Sequence, residues 1–210
     1  MLQLLSAPLV AVLLHAAPAG TAQVVEASAP IRRALPTFSV TALLDKPELR
    51  LGETHRVVAQ LHGKVEEWNP FLTRFHRDDY SLVTFWADEQ WLWIKEEFDA
   101  PAAQFFVRRR TELAEVLAEA KRHDRFELDV AVREVHAGRT WIEIVDVRRT
   151  GQQTPEGTIL HAIRALDLVD REGWSLAINE LERALRPDLP GHVRRELQTI
   201  LDLCKRAMRS

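Results

Sequence analysis

The sequence predicts an α+β protein that consists of a five-stranded Greek-key β-barrel with one inserted helix, followed by a C-terminal module of three helices. Between residues 54 and 150, several runs alternate apolar and polar side chains with the period of two that is typical of β-strands. From Thr154 onward, apolar residues instead recur at helical spacing. Hydrophobic residues make up 46% of the chain and charged residues 28%, which is ordinary for a globular protein with one good core.

The amino-terminal segment, residues 1–23, differs in composition from the rest of the chain. It contains no Asp, Glu, Lys or Arg, and an apolar run at Leu9–Leu14 is followed by small residues that suit cleavage after Ala19 or Ala22. This pattern resembles a secretory signal peptide, although the usual basic residue near the start is missing. We therefore expect a periplasmic or secreted protein with no transmembrane segment in the mature chain. Without a signal peptide, the expected location is the cytoplasm.

Residues 24–44 are predicted to form a linker that ends in a short leading strand, and residues 45–153 to form the barrel. The first long strand is predicted at Thr54–Val65, where Gly63 indicates a bulge or a bend. The connection that follows, Glu66–Asp79, is too apolar for a free loop. We expect it to pack on the barrel through Trp68, Phe71, Leu72 and Phe75.

A tryptophan-rich stretch, Tyr80–Phe98, is predicted to form a β-hairpin with its turn at Ala87–Gln90. Aromatic and β-branched residues favour strands, and a register that places Phe85 opposite Leu92 gives one purely apolar face. We expect that face to lie in the core. The opposite face then carries Thr84, Trp86, Trp91, Trp93 and Lys95.

The second half of the predicted barrel combines a helix with a further strand pair. Pro101–Arg122 is predicted to be helical, and Thr111 is suited to cap a second helix if the stretch breaks there. Two strands are predicted at Arg125–Val135 and Thr140–Arg149, joined by a glycine-containing turn.

A bent first strand, and a helix between the third and fourth strands, resemble the OB-fold, a five-stranded Greek-key barrel. The stretch RFELDVAVREVHAGRTWIEIVDVRR looks like the closing hairpin of such domains. The resemblance covers roughly Leu49–Thr150 and is one of topology, without a family-specific binding motif. A β-sandwich fragment or an SH3-like barrel is the alternative, and the intervening helix favours the OB-fold.

The last part of the chain, residues 154–210, is predicted to form three helices. Thr154–Glu156 supplies a cap, a first-turn proline and a first-turn acid, so the first helix is expected to run to about Val169. The other two helices are predicted at Trp174–Leu185 and Pro190–Met208. The apolar side chains of the first helix are expected to point inward: Ile159, Leu160, Ile163, Leu166 and Val169.

The spacing of Ala177, Leu181 and Ala184 is similar to that in the second helix of a tetratricopeptide (TPR) repeat. The match covers one repeat at best, because His161 and Arg164 stand where the first helix of that family has apolar residues. A single repeat cannot bury its own apolar face. We therefore expect these helices to dock on the barrel or on each other.

Aromatic rings can stack on nucleobases or sugar rings, and basic side chains attract phosphates. The hairpin face that carries Trp86, Trp91 and Trp93, here called the tryptophan face, is therefore a candidate ligand-binding face. The alternative is that the C-terminal helices cover this face and leave no surface for a ligand. Residues 45–154 hold 17 Lys and Arg against 21 Asp and Glu, a net charge of −4 that disfavours nucleic acid. The candidate ligand-binding residues are Trp86, Trp91, Trp93, Lys95, Arg148 and Arg149.

The sequence carries no motif that indicates catalysis, a cofactor or a metal site. Nucleophile-elbow, Walker A and dinucleotide-binding patterns are absent from it, and its histidines lack the spacing of metal ligands. A single cysteine, Cys204, excludes an intrachain disulfide and is interpreted as a core residue. The sequence therefore predicts a non-catalytic, exported binding protein whose partner is a protein or peptide. The alternative is binding of single-stranded nucleic acid or glycan through the tryptophan face.

Overall fold

The computed structural model describes residues 35–69, 75–136 and 139–209, so the predicted signal segment lies outside the described residues. None of the helices in this part of the chain has the length and apolarity that a membrane span requires. A single 3-10 turn occupies Pro47–Arg50. The strands are β1 (Thr37–Phe38), β2 (Thr54–Val65), β3 (Tyr80–Ala87), β4 (Ala103–Arg108), β5 (Arg125–His136) and β6 (Arg139–Arg149). The helices are α1 (Val40–Asp45), α2 (Lys95–Asp99), α3 (Glu112–Glu119), α4 (Glu156–Asp170), α5 (Trp174–Ala184) and α6 (Gly191–Ala207).

Five strands close into a barrel in the order β2-β3-β4-β6-β5, and β5 pairs back to β2. The β4–β6 pair is parallel, the other barrel pairs are antiparallel, and α3 connects β4 to β5. The short β1 adds to β2 in parallel outside the closed ring. The predicted α+β architecture, an OB-like barrel with an inserted helix and a C-terminal helical module, is confirmed.

Strand β2 serves two sides of the barrel because it bends near its middle. Its first half pairs with β5 from Thr54 to Gln60, and its second half pairs with β3 up to Val65. The register shifts between Leu61 and Gly63, where the two pairings meet. The predicted bulge at this glycine is therefore confirmed.

The barrel interior is filled by side chains from alternate positions of all five strands. Phe85 lies at its centre, with ring centroids 5.8 Å from Phe105 and 6.5 Å from Phe126. Leu117 of α3 and Leu43 of α1 complete this cluster, so both short helices contribute to the same core. Each of these side chains is almost fully withdrawn from water. Burial of a large apolar side chain contributes roughly 1.5–3 kcal/mol.

The hairpin predicted for Tyr80–Phe98 is wrong in its second half. β3 pairs with β4, so Phe85 lies opposite Ala103 rather than Leu92. The chain after β3 turns and enters the short helix α2. Gln90 holds this turn, because its Oε1 accepts from Ala87 N and Ala102 N, at 3.0 and 2.9 Å, and its Nε2 donates to two carbonyls of the same loop.

The prediction of helix from Pro101 to Arg122 is also wrong in its first half, where the chain forms β4. Closure of the barrel requires a strand between β3 and β6, and aromatic and branched residues suit that position. The second half is helical as α3, and Thr111 caps it by accepting a hydrogen bond from Ala114 N at 3.3 Å. The predicted cap is confirmed.

The C-terminal helices pack through small side chains as well as large ones. Leu160 and Ile163 of α4, which were expected inside, are 46% and 41% exposed. Ala162 and Ala165 are buried instead, which lets α4 approach α5 closely. Thr158 Oγ1 donates to Ala184 O across the same contact at 3.0 Å. In α6, Ile200 is half-buried, and the apolar residues that are buried are Val193, Leu197, Leu201 and Cys204.

Candidate functional site

Trp86, the first predicted ligand-binding residue, is 0% exposed. Its ring stacks on Phe98 and on His123, each with centroids 5.1 Å apart, and His62 meets it edge-on at 4.8 Å. Its Nε1–H donates to Phe98 O at 2.9 Å. The ring therefore has no open side on which a base or a sugar could stack.

Trp91 and Trp93 belong to the apolar cluster of the helical module. Trp93 is 7% exposed, and Trp91 is half-buried with its ring centroid 5.2 Å from that of Trp93. Leu197 and Leu201 of α6 belong to the same cluster. The alternative in which the C-terminal helices cover these tryptophans is therefore the arrangement that the structure has.

The three basic candidates each have an acidic partner close by. Lys95 pairs with Asp99, which raises the pKa of the lysine ammonium above its ordinary value. Arg148 pairs with Glu127 at 3.0 Å, and Arg149 with Asp124 at 3.1 Å. The six candidates thus do not form one surface: Trp86 lies in one apolar cluster and Trp91 and Trp93 in another. Their role in binding stays a prediction.

A cleft of about 480 Å³ on the outside of the barrel is a site that the sequence analysis did not identify. It lies between β3, β4, β6 and the loop after β2. Leu82 and Phe106 come from neighbouring strands, while Trp68 comes from the loop and Trp141 from β6. Arg139 is the one charged side chain in the described lining. The polar lining side chains are Asn69, Gln104, Arg139 and Thr140.

The aromatic side of this cleft is held rigidly. Phe106 is the centre, with Phe75 stacked on it at 4.4 Å, Trp68 edge-on at 5.5 Å and Trp141 tilted at 5.6 Å. Trp68 Nε1–H donates to Phe75 O at 3.0 Å, and Arg77 donates to Trp68 O. The predicted packing of the Glu66–Asp79 connection on the barrel is confirmed for Trp68 and Phe75; Phe71 and Leu72 lie outside the described residues.

Trp141 differs from Trp68 in its indole nitrogen. Its Nε1–H is buried and has no hydrogen-bond partner among the described residues. An unsatisfied buried donor costs about 1–3 kcal/mol. Nothing in the sequence indicates that the donor of Trp141 is unpaired. A ligand acceptor that reached this nitrogen would recover the lost bond.

The cleft lies where two strands part. β4 and β6 pair at two positions only, Phe105 with Ile142 and Phe106 with Glu143. β4 and β6 form no further pairs towards Gln104 and Thr140, both of which line the cleft. Residues of both strands therefore border the cleft, together with the apolar side chains Leu82, Phe106 and Trp141.

A buried carboxylate, Glu143, lies on the same face of the sheet. Arg133 Nε donates to it at 2.7 Å, Tyr80 OH donates at 3.4 Å, and Arg108 Nε lies 3.9 Å away. Arg108 also donates to Tyr80 OH at 3.0 Å. Arg108 and Arg133 thus already offset the negative charge of the Glu143 carboxylate, which weakens the attraction of these arginines for a polyanion.

Burial is the main cause of the perturbed pKa values of three groups: His62, His123 and Cys204. Desolvation, with the nearby Arg122 second, lowers the pKa of His62 and of His123 below the ordinary histidine value. Desolvation raises the pKa of the Cys204 thiol. Within residues 35–69, 75–136 and 139–209, no group of three His, Cys, Asp or Glu side chains is arranged to hold a metal ion.

Comparison with known proteins adds little to this geometry. No protein family and no curated protein matches the sequence. A solved structure described as "Crystal structure of a putative aspartyl-tRNA synthetase from Leishmania major Friedlin" is similar with a TM-score of 0.38 and 8% identity. The similarity covers 74% of this chain, which spans 31% of that protein. A likeness of this size carries no argument about activity.

Proposed function

We propose that this chain is a non-catalytic binding protein that holds an extended segment of a protein or peptide in the cleft between β4 and β6. The observation that carries the proposal is the cleft beside the end of the β4–β6 pairing, where the buried Trp141 Nε1–H has no hydrogen-bond partner among the described residues. A peptide supplies what such an opening lacks, because its carbonyls accept from N–H donors and its apolar side chains fill the floor.

The lining chemistry supports a peptide over a polyanion. Its polar side chains, Asn69, Gln104 and Thr140, are neutral hydrogen-bonding groups, and Arg139 adds one positive charge. Single-stranded nucleic acid binding depends on exposed ring faces and a groove with excess positive charge. Here Phe106 is covered by Phe75, which already stacks on it. We keep nucleic acid and glycan as the alternatives that the experiment must separate.

The experiment follows the indole N–H signals of the folded, ¹⁵N-labelled chain during titration with three probes. The probes are a pool of random hexapeptides, an oligothymidylate and a cellooligosaccharide, each at low salt. We expect the Trp141 signal to move with the peptide pool alone. Movement with the oligonucleotide that disappears as salt rises would replace the proposal with nucleic acid binding. No movement with any probe would overturn it.

A matched pair of variants assigns the effect to the cleft. Trp141→Phe removes the indole donor and keeps an aromatic ring. Because it also removes the Trp141 signal, the Trp68 indole signal from the same cleft is followed in both proteins, and the variant should abolish its response to the peptide pool. Leu203→Ala changes an exposed residue on α6 and should leave the response unchanged. Export is a separate part of the proposal that rests on residues 1–23. It is tested by amino-terminal sequencing of the protein recovered from outside the cytoplasm.

A further inference from the structure

The barrel and the helical module are joined by hydrogen bonds between the side-chain amide of Gln60 and the backbone of Thr154. Gln60 of β2 and Thr154, which precedes α4, are both buried. Gln60 Nε2 donates to Thr154 O at 2.8 Å, and Gln60 Oε1 accepts from Thr154 N at 2.8 Å. Thr154 thus does not cap α4 as predicted: the helix begins after Pro155, and Thr154 is fixed to the barrel.

These two bonds fix which way the Gln60 amide points. A flipped amide would place its NH₂ group against the Thr154 N–H and its oxygen against the Thr154 carbonyl, so both contacts would become repulsive. The NH₂ group of Gln60 therefore also faces His123 Nδ1, which lies 3.2 Å from Gln60 Nε2. Since Gln60 donates there, His123 Nδ1 must accept. The ring is accordingly neutral, with its proton on Nε2.

His123 is held in this position by backbone and ring contacts. It has a left-handed backbone with φ of 76°, and its N–H donates to Leu61 O at 2.9 Å. Its ring stacks on Trp86 at 5.1 Å, in the cluster where Ile159 of α4 meets the barrel. A half-turn of the ring about Cβ–Cγ would keep the stacking on Trp86 but would put a C–H group in place of Nδ1, so the Gln60 N–H would still lose its acceptor.

We propose that His123 is a proton-sensitive switch at this junction: a proton on Nδ1 turns the acceptor that faces Gln60 into a donor, and releases Thr154 from β2. A donor that faces a donor is repulsive, and the Gln60 amide cannot turn to relieve it without losing both bonds to Thr154. Acidification therefore loosens the first residues of the helical module and leaves the barrel pairing intact. This inference is independent of the proposed peptide cleft.

The charged groups around His123 set the pH range of the switch. Arg122 lies over the Trp86 ring at 5.0 Å, and His62 of β2 meets the same ring from its edge. Glu156, in the first turn of α4, raises the pKa of His123. The pKa of His123 is lowered mainly by burial and secondly by Arg122, and the opposing effect of Glu156 is smaller. Asp124, the next residue, is paired with Arg149. The switch therefore operates on the acid side of the ordinary histidine range.

The test is an NMR titration of the intact chain, from about pH 7.5 to about pH 5, across the ordinary histidine range. The nitrogen shifts of His123 report its tautomer, and hydrogen exchange at the Thr154 N–H reports the junction. At the upper pH we expect Nδ1 to be unprotonated and the Thr154 amide to be protected. Exchange, corrected for its intrinsic pH dependence, should speed up by up to about tenfold for each unit that the pH falls below the ordinary histidine pKa, and should level off once His123 in the closed junction is itself protonated. A protonated Nδ1 at the upper pH, or protection that persists after His123 is charged, would overturn the proposal.

Two single variants assign the effect to one histidine. His123→Asn removes the titrating group, and Asn tolerates a left-handed backbone. Its Thr154 exchange should not respond to pH across this range. His62→Asn removes the neighbouring histidine and should keep the acid response. The reverse pattern would transfer the switch to His62 and overturn the proposal. If His123→Asn does not fold, the titration of the unchanged chain still decides the question.

Discussion

Phe75 stacks on Phe106 with the ring centroids 4.4 Å apart and the planes 5° from parallel. Phe75 comes from the connection between β2 and β3, and Phe106 from β4, so this contact ties the loop to the outer face of the barrel. Phe75 also meets Tyr80 edge-on at 4.7 Å. The aromatic side of the cleft therefore depends on a residue of the loop.

Phe75→Ala should consequently destabilise the protein by about 3 kcal/mol, the low end of the range for buried phenylalanines. The low end applies because loop segments relax more readily than strands. The free energy of unfolding in urea measures the effect. Leu49→Ala, at a highly exposed position, is the control and should change stability by less than about 0.5 kcal/mol. A loss for Phe75→Ala no larger than that of the control would show that the stack is not formed.

Trp141 and Trp68 allow a direct comparison of an unpaired and a paired indole, because their exposed fractions are 7% and 9%. Trp68→Phe breaks the bond to Phe75 O, whereas Trp141→Phe breaks none. Trp68→Phe should therefore be less stable than Trp141→Phe by about 1 kcal/mol. Urea unfolding of the two variants gives the difference. Equal stabilities would mean that Trp141 Nε1–H has a partner in solution.

Strands with one wet face were predictable from the sequence. β2 and β5 alternate core and surface residues, so their period of two is visible and their bounds agree closely with those of the structure. β4 shows no such alternation of core and surface residues, because Phe105 and Val107 face the barrel core while Phe106 faces the aromatic cluster of the cleft. A run that is apolar on both faces lacks the period of two, and Pro101, which suits the first turn of a helix, favoured a helix instead.

Trp91–Ile94 was misassigned for a related reason. Leu92 packs with Trp86 on the barrel side, and Trp93 packs with the helical module. Leu92 and Trp93 are buried between the barrel and the helical module, and the partners of Trp93 belong to the C-terminal helices, far away in sequence. The cleft could not be predicted either, because Trp68, Phe106 and Trp141 come from three separate elements. Only their closure into one barrel brings them together.

Trp93→Ala should be as damaging as Phe85→Ala. A truncation at Trp93 would have a small effect if this side chain faced an open ligand-binding surface, but the ring is buried among the helices. Both truncations should cost roughly 3–5 kcal/mol, as is typical for buried aromatic residues. Urea unfolding compares the two variants, with exposed Leu176→Ala as the control. A loss at Trp93 close to that of the control would mean that the helices do not pack on this tryptophan.

Glu180 gives the helical module a dependence on acid that is separate from His123. His161 Nδ1 lies 2.7 Å from Glu180 Oε2, and this hydrogen bond is the main reason that the pKa of Glu180 is below its ordinary value of 4.5. The unfolded chain then binds the proton more readily than the folded one, so stability rises with pH through this range. The contribution of Glu180 is present above its unfolded pKa and is lost as pH falls through its folded pKa.

Glu180→Gln should therefore be less stable than the unchanged chain near neutral pH, and the gap in stability should close at about pH 3, below the ordinary glutamate range. Urea unfolding of both proteins at several pH values measures the gap, and a gap that stays constant with pH would show that the folded state does not favour the Glu180 carboxylate.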